Sequence, residues 1–327
     1  MGGFANTFLH DQLLDRRQKL EATIPMVRND EPLRRLLGEV DAALDSMKTG
    51  VYGLCEVCRD PIEKERLFAD PLLKRCLDHL SPQQQRDLEQ DLDMAWRIQN
   101  ELLPKKNLQF GGWSICYHYE AVGPVSGDYC DVLTAADGEL IFIIGDVSGK
   151  GVAASMLMAH LHAMFRSLIS VGLPFNQLME RANRVFCNST MPAFFATLVC
   201  AKASTSGDVD LFNAGHCPPL WVRPADIESI EATGLPLGMF CTTSYQLRQI
   251  KMSPGDSMLL YTDGLTEARN NSDEEYGTDR LARVVEENRE LQPQALVSAC
   301  LADLAAFQSG SPRIDDLAAM VIRRDAP

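Results

Sequence analysis

The part of the chain after residue 107 limits the possible folds most, because short β-rich runs and paired helical stretches share it. Each run has the length of a strand and is bounded by turn residues. Strands in series with helices in pairs favour a layered α+β sandwich over a regularly alternating parallel sheet. The runs are WSICYHYEA, GELIFIIGDV, ATLVCAKAS, DVDLFNA, YQLRQIKM, SMLLYTDG and AAMVIRR, and the helical stretches are 151–172, 174–190, 277–290 and 293–308.

The first part of the chain shows helical periodicity instead. Apolar residues recur at helical spacing in 8–25 and in 32–49, and the polar loop between them predicts an αα-hairpin. A further helix is predicted at 81–104, where a Ser-Pro pair provides its start. We therefore predict a chain in three parts, at residues 1–80, 81–106 and 107–327.

The predicted linker helix at 81–104 carries a short seam of mostly apolar residues. Its members are spaced by four and three residues, as in a coiled coil with one glutamine in the seam. We expect a homodimer through this helix, and the alternative is an amphipathic helix packed on its own domain. The seam consists of Leu88, Leu92, Ala95, Gln99 and Leu102.

Two pairs of potential metal ligands lie between the hairpin and the linker helix. Cys55 and Cys58 are separated by two residues, and after 17 more come Cys76 and His79, again with two residues between them. Soft ligands on two short knuckles can close a tetrahedron around zinc. The alternative is three unconnected cysteines and a surface histidine, and it leaves the repeated spacing unexplained.

The charge of the chain indicates which partners suit it. The 327 residues include 31 Lys or Arg and 45 Asp or Glu, which gives a net charge of −14. Nucleic-acid binding needs clustered cations, so it is not expected, whereas acid-rich clefts suit divalent metal ions. No run approaches the ~18 apolar residues of a membrane span. A cytoplasmic protein without a membrane contact is expected, with its 10 cysteines mostly reduced.

The stretch IFIIGDVSGKGVAAS, at residues 141–155, contains a glycine-rich turn with a lysine. A P-loop reads G-x-x-x-x-G-K-[ST], and its last residue binds magnesium. Here only three residues separate Gly145 from Gly149, and Gly151 follows Lys150. The dinucleotide fingerprint fails at its second glycine. The turn is therefore not expected to bind a nucleotide, which argues against an ATPase.

Four aspartates of the last part stand where apolar runs begin or end. Asp146 and Asp263 end such runs, while Asp128 and Asp315 precede them. Carboxylates gathered in one place repel one another and raise each other's pKa values, and hard divalent cations relieve that cost. A single Asp-Gly is usually a plain turn. Four such acids in one domain favour a site for divalent metal ions.

The cysteine-rich segment resembles a known zinc finger. The stretch VDAALDSMKTGVYGLCEVCRDPIEKERLFADPLLKRCLDH is similar to the DksA/TraR type, although His79 stands here in place of the usual fourth cysteine. DksA-like proteins act on RNA polymerase through a long coiled coil, and the short hairpin here does not carry that role over. The resemblance implies one zinc ion held by Cys55, Cys58, Cys76 and His79.

A second resemblance covers residues 107–325. Eight motifs occur in the order seen in SpoIIE/RsbU-like phosphatases, which belong to the metal-dependent PPM class of serine/threonine phosphatases. The segment MAWRIQNELLP resembles the helix before this domain in RsbU-like proteins. The resemblance implies a PPM-type α-β-β-α sandwich. The motifs are VSGDYCD, IIGDVSGKGVAASMLMA, FATLV, NAGHCPPL, GLPLGM, LLYTDGLTEARN, YGTDRL and RIDDLAAMVI.

The same resemblance implies a set of metal ligands. Two Mn2+ or Mg2+ ions would share a water, which attacks the phosphorus, and Asp146 would bridge them. Asp131 and Asp316 are nearby acids that could support the ligands or hold an optional third metal. The implied ligands are Asp128, Asp146, the backbone carbonyl of Val147, Asp263 and Asp315.

Other residues near these motifs carry weaker indications. Ser148 stands where many PPM members have a histidine proposed as general acid, so water is expected to protonate the leaving oxygen. Lys150 is expected to be a solvated loop lysine rather than a phosphate ligand, and His216 is expected to order its loop. Cys130, Cys187 and Cys217 are expected to be packing residues.

We therefore expect a metal-dependent protein serine/threonine phosphatase that acts on a phosphorylated regulatory protein. The resemblance implies an STAS-type anti-sigma-factor antagonist as that substrate. The N-terminal zinc-finger module, joined by a helix to the catalytic domain, suggests regulation by that module. The alternative is a non-catalytic, transcription-related adaptor with a DksA-like finger, which the intact set of acids argues against.

Overall fold

The structure is a computed structural model, and it divides into two compact units. The units are Met1–Asp91 and Leu92–Pro327. The predicted three-part division at residues 80 and 106 stays a prediction. The residues that the structure describes are 3–26, 30–135, 137–191 and 194–325.

The first unit consists of helices and short irregular segments. The two helices predicted for its hairpin are present, and Leu13 and Leu20 of the first are buried together with Val40 and Leu44 of the second. A second small cluster of buried residues surrounds Cys55 and includes the other buried cysteine of this unit. The helices are α1 (Gly3–Thr23), α2 (Glu31–Lys48) and α3 (Lys64–Ala69).

The predicted linker helix is α4, Pro82–Leu102, which begins in the first unit and ends in the second. Within the second unit, Gln99 is buried, and its side-chain amide bonds to both backbone groups of Ser126. The glutamine of the predicted dimer seam therefore faces its own domain, because both ends of its amide find partners there.

The second unit contains two antiparallel sheets. The five-stranded sheet has the order β3-β4-β5-β6-β9, and the six-stranded sheet has the order β1-β2-β11-β10-β7-β8. The strands are, in chain order, β1 (Leu108–Phe110), β2 (Trp113–Glu120), β3 (Tyr129–Thr134), β4 (Leu140–Val147), β5 (Ala196–Ala203), β6 (Asp208–Ala214), β7 (Leu220–Val222), β8 (Ile227–Ser229), β9 (Arg248–Lys251), β10 (Ser257–Tyr261) and β11 (Leu317–Arg324).

Helices cover the outer face of each sheet. One cluster of buried residues lies between the sheets, a second joins α5 and α6 to the five-stranded sheet, and a third joins α8 and α9 to the six-stranded sheet. The predicted α-β-β-α sandwich is confirmed. The remaining helices are α5 (Gly151–Ser170), α6 (Phe175–Ser189), α7 (Asp263–Thr266), α8 (Thr278–Glu287) and α9 (Pro293–Gln308).

Strand β4 shows why this part of the sequence is continuously apolar. Phe142 and Ile144 face the space between the sheets, whereas Ile141 and Ile143 pack under the helices. A strand that is buried on both faces needs apolar residues at every position. Asp146, near the end of this strand, is its first side chain that is only partly buried.

Helix α5 is the one helix, within the described part of the chain, that is long and apolar enough to cross a membrane by those criteria alone. Its side chains Met158, Leu161 and Phe165 are buried against the five-stranded sheet. Burial in the core of the second unit therefore explains the apolar composition of α5.

The cysteines differ from expectation at one pair. Cys187 on α6 and Cys241 form a disulfide across a Cα–Cα distance of 5.6 Å, so the expectation that Cys187 only packs was wrong. The sequence could not indicate this pairing, because 54 residues separate the two. Eight other cysteines are free thiols, including the three in the predicted zinc site.

Candidate metal centres

The loop before Asp128 lies directly against the end of β4. A Cβ atom at Gly127 would lie 3.3 Å from the Val147 carbonyl oxygen and 3.4 Å from Asp146 Oδ1. Only a residue without a side chain allows this approach without displacement. Two of the predicted ligand oxygens therefore face the loop that carries a third predicted ligand, Asp128.

Asp128 is held in place by neighbours from distant segments. It is 1% exposed, and the Thr262 hydroxyl donates to its Oδ2 at 2.9 Å. Its backbone N–H donates to the Ser126 hydroxyl oxygen at 3.0 Å. Because Thr262 directly precedes Asp263, the bond from Thr262 also brings the Asp263 segment towards Asp128.

Asp263 and Asp315 come together through a close backbone contact. Asp263 begins the short helix α7, and a Cβ at the following Gly264 would collide with the Asp316 carbonyl. The Asp-Gly pair of this segment thus allows the chain to lie directly against residues 315 and 316. The four predicted carboxylates come from four separate segments that meet at one end of the sandwich.

Burial and mutual repulsion perturb these carboxylates. Burial and the charges of Asp263 and Asp315 raise the pKa of Asp146 to about 7. Burial, followed by the charge of Asp146, raises the pKa of Asp128 well above its usual range. Burial and Asp315 also raise the pKa of Asp263. Each of these acids is therefore costly to ionise without a cation nearby.

Lys150, from the glycine-rich turn, contacts this acid cluster. Its Nζ donates to Asp315 Oδ2 at 2.7 Å and to the Ile314 carbonyl at 2.9 Å. The acid cluster therefore offers this loop lysine a counter-charge. The side chain of Lys150 nevertheless stays largely exposed.

Asp131 and Asp316, the two acids that were expected to support the ligands, have different surroundings. Asp131 is fully buried, and the Arg166 guanidinium donates to both of its oxygens at 2.8 and 2.9 Å. The suggestion that Asp131 supports the metals is therefore wrong, because α5 already occupies its carboxylate. Asp316 accepts bonds from the Val122 and Gly127 N–H groups at 2.8 and 2.9 Å, so it positions the loop that carries Asp128.

Ser148 and His216 are engaged in structural contacts. The Ser148 backbone N–H donates to the Phe195 carbonyl, and its hydroxyl accepts from the Phe195 N–H. His216 lies 2.8 Å from the Thr197 hydroxyl through Nδ1, and burial lowers its pKa to about 4. A neutral, buried histidine beside Thr197 fits the expected role of ordering the loop.

The second-unit cluster suits hard divalent cations. Its donors are carboxylates and one backbone carbonyl, the ligand types that Mg2+ and Mn2+ prefer. Bound cations would remove the repulsion that raises the pKa values of Asp146, Asp128 and Asp263. The residues fit the metals, and the assignment of each ligand stays a prediction.

The first unit contains a different kind of cluster. The ligand atoms of its three cysteines and one histidine all lie within 4.8 Å of one another, the one such group found among the described residues. The sulfurs of Cys58 and Cys76 are 3.7 Å apart, and Cys76 Sγ is 3.2 Å from His79 Nδ1. These soft ligands fit a tetrahedral zinc ion, which here also stays a prediction. The group is Cys55, Cys58, Cys76 and His79.

The surroundings of Cys55 favour a thiolate. Burial raises its pKa, but the backbone N–H groups of Cys58, Cys76 and Val57 bond to it and lower the pKa to about 6. Backbone amides directed at a sulfur are typical of a metal knuckle, because they stabilise the charged ligand. The local turn thus prepares the cluster for a cation.

Reasoning from the sequence missed the contact between Gln99 and Ser126. The Gln99 Nε2 donates to the Ser126 carbonyl at 2.8 Å, and the Ser126 N–H donates to Gln99 Oε1 at 3.0 Å. The Ser126 hydroxyl in turn bonds to Asp128. A glutamine within an apolar seam was the one signal of this contact, since a buried amide needs partners.

Comparisons with known proteins agree with this architecture. The model of the family Stage II sporulation protein E (SpoIIE) matches residues 136–325. Phosphoserine phosphatase RsbU of Bacillus subtilis is 28% identical over 244 residues, which cover 73% of this chain and 72% of RsbU. Protein IcfG of Synechocystis sp. is 26% identical over 264 residues, or 72% of this chain. The chain covers only 42% of IcfG, less than half of that protein.

Solved structures share the fold. The structure of the RsbU and RsbW domains of Rv1364c from Mycobacterium tuberculosis has a TM-score of 0.57 and 28% identity, and the match covers 67% of this chain and 61% of that one. The SiaA-PP2C domain of Pseudomonas aeruginosa has a TM-score of 0.63 at 18% identity, covering 74% and 98%, which supports the fold alone. Since the family model matches more than half of the residues, the chain belongs to the SpoIIE family.

Proposed function

We propose that this chain is a metal-dependent phosphoprotein phosphatase that acts on phosphoserine or phosphothreonine. The observation that carries the proposal is the cluster of four aspartates from separate segments, in which burial and neighbouring carboxylates raise the pKa values of Asp128, Asp146 and Asp263. Membership of the SpoIIE family adds support, as does the similarity to a protein named phosphoserine phosphatase RsbU.

The chain's own residues would bind and orient the reacting groups. Two bound Mn2+ or Mg2+ ions would supply an activated water and neutralise charge on the phosphoryl oxygens. Thr262 and Asp316 keep the Asp128 loop in place, and Lys150 keeps a positive charge beside Asp315. The Ser148 hydroxyl accepts a bond from the Phe195 N–H, and a serine hydroxyl is a poor acid, so a solvent water would protonate the leaving oxygen.

The substrate class follows from the resemblance to RsbU-like proteins. We propose a phosphorylated regulatory protein, of the STAS-type anti-sigma-factor antagonist class, in the cytoplasm. The activated water that the metals would supply does not distinguish one accessible phosphate monoester from another, so the metal site alone would not select the protein. Selection must come from surfaces around the site.

The N-terminal module would bind one zinc ion and regulate the phosphatase. Helix α4 is continuous from Pro82 to Leu102, and its Gln99 bonds to Ser126, which bonds to Asp128. A shift or rotation of α4 would therefore act on the position of a metal ligand through two hydrogen-bonded contacts. This route supports regulation from the first unit without any new contact.

We also propose a homodimer through α4, but its contact lies on a different side of the helix from the predicted seam. Because Gln99 is buried in its own domain, it is not available to a partner helix. The exposed apolar side chains of the second half of α4 are Met94, Trp96 and Ile98. Met94 and Ile98 are four residues apart and share one side of the helix, which would be the contact between two copies.

A metal titration of the full chain tests the proposed activity. We expect hydrolysis of p-nitrophenyl phosphate and of phosphoserine peptides that requires Mn2+ or Mg2+ and stops on addition of EDTA. The variant Asp263→Asn should lose this activity, because it removes a charge from the cluster. A chain that binds zinc but hydrolyses neither substrate with any divalent metal would contradict the proposal and favour the adaptor.

A further inference from the structure

A set of apolar side chains is exposed at the same end of the second unit as the carboxylate cluster. Their side chains are between 43% and 69% exposed, and three of them are methionines. Contiguous exposed apolar side chains on a soluble domain commonly mark a binding surface, and methionine adapts its shape to different partners. The set, called the apolar rim below, consists of Met156, Met191, Leu235, Met239 and Phe240.

Residues 235–241, called the rim loop, have their backbone close to the predicted metal ligands. Leu237 exchanges two backbone hydrogen bonds with Ala196, at 2.8 and 2.9 Å, and Ala196 is the register partner of Val147. Neighbouring strands are ~4.8 Å apart, so Leu237 lies ~10 Å from Val147. Leu235 and Met239 flank the buried Leu237 and are exposed. A molecule bound at the carboxylates therefore has the rim within reach.

The rim loop is held firmly against α6. The Asn183 side chain donates to the Phe240 carbonyl at 2.8 Å and accepts from the Gly238 N–H at 2.9 Å. The Cys187–Cys241 disulfide fixes the same loop one turn further along α6. A loop held at several points presents its side chains with a smaller backbone ordering cost on binding.

The two methionines outside the loop are joined to it through α6. Met191 follows the end of α6, and Met156 lies near the start of α5. The Ser189 hydroxyl lies 2.8 Å from His160 Nε2, which connects the end of α6 to the turn of α5 that follows Met156. Hydrogen bonds and a disulfide therefore connect α5, α6 and the rim loop, which carry or adjoin the rim side chains.

We propose that the apolar rim binds apolar side chains next to the phosphorylated residue of a protein substrate. This inference rests on the proposed phosphatase function. A phosphoprotein that places its phosphate at the carboxylates must also cover the surface beside them. Since an extended chain advances ~3.3 Å per residue, an apolar substrate residue about three to five positions from the phosphoserine would reach the rim.

The test compares phosphoserine peptides of equal length and charge. One series carries a single leucine at each position up to five residues before or after the phosphoserine, and a matched peptide carries serine instead. We expect one or more leucine peptides to exceed the serine peptide roughly tenfold in kcat/KM, mainly through KM. Binding of the same labelled peptides to the full chain is followed by fluorescence anisotropy.

The double variant Met239→Ser/Phe240→Ser should remove the preference for leucine. It should still hydrolyse p-nitrophenyl phosphate, which is too small to reach from the carboxylates to the rim. The matched control is Val171→Ser, a 69% exposed apolar residue that follows the far end of α5. The control should keep the full preference for leucine peptides.

Three results would overturn the docking surface. The first is that the unmodified chain shows equal rates and affinities for leucine and serine peptides. The second is that the double variant keeps the preference for leucine. The third is that the double variant changes only the oligomeric state. The last result would assign the rim to a second copy. An unmodified chain that hydrolyses no phosphate ester would instead contradict the proposed function, and the anisotropy measurement would still decide the role of the rim.

Discussion

The Cys/His cluster of the first unit takes its four ligands from residues 55–79, whereas the carboxylate cluster of the second takes its aspartates from residues 128–315. The cysteine sulfurs and the histidine nitrogen already lie within 4.8 Å of one another. The carboxylate cluster depends on the packing of four segments, and burial and neighbouring carboxylates raise the pKa values of Asp128 and Asp146. In this chain, two nearby turns bring the soft ligands together, whereas the hard ligands meet only through the fold.

The largest expected effect is in the first cluster. Cys76→Ser should lose the bound zinc and unfold much of the first unit, because structural zinc contributes on the order of 10 kcal/mol to small modules. Zinc content by mass spectrometry and thermal unfolding measure this effect. Cys241→Ser, outside the cluster, should keep its zinc. A Cys76→Ser chain that keeps its full zinc content would contradict the prediction that Cys76 is a zinc ligand.

The second expected effect is in the carboxylate cluster. Asp146→Asn should lower metal-dependent turnover of p-nitrophenyl phosphate by about 1,000-fold or more, since it removes the predicted bridging charge. Its zinc content should not change. The control Asp273→Asn alters a side chain that is 84% exposed and should keep full activity. Equal losses in both variants would show that general charge, and not the cluster, determines the rate.

The third prediction concerns pH and the metal-free chain. The native pKa of Asp146 is raised to about 7, so between its ordinary value near ~4 and 7 the folded state holds a proton that the unfolded state releases. The free energy of unfolding should therefore fall by up to ~4 kcal/mol as pH rises through this window.

Urea unfolding at pH 5 and pH 8, without added Mn2+ or Mg2+, measures roughly two thirds of this loss, because pH 5 already lies about one unit into the window. Asp128 and Asp263 shift in the same direction and would add to it. Asp146→Asn should reduce the change in the free energy of unfolding with pH. Saturating Mg2+ added to the unmodified chain should do the same. A metal-free chain that gains stability from pH 5 to pH 8 would show that repulsion among the carboxylates does not dominate.

The smallest expected effect tests the link between α4 and the carboxylate cluster. Gln99→Ala leaves the backbone N–H and carbonyl of Ser126 without their partner, which costs about 1–3 kcal/mol. We expect Mn2+ binding, measured by calorimetry, to weaken several-fold as the Asp128 loop loosens. Asn100→Ala, an exposed neighbour on the same helix, is the control and should bind as before. An unchanged Mn2+ affinity in Gln99→Ala would show that the contact of α4 with Ser126 does not influence the metal site.

The sequence alone determined the features that depend on local spacing. The two cysteine knuckles, the helices α1, α2 and α4, and the layered order of strands and helices follow from periodicity and motif spacing. The candidate ligands could also be named, because acids at the ends of apolar runs are visible without a structure. Local interactions and the burial of an apolar face suffice for these, so their signals lie within a few residues.

Only the tertiary structure decided the contacts between distant segments. It placed Gln99 against Ser126 rather than a partner helix, and it paired Asp131 with Arg166. It also joined Cys187 to Cys241 and directed Lys150 to an acid 165 residues away. The type of a residue limits which partners suit it, but packing selects among them, because a buried polar group bonds to whichever partner the fold brings within reach.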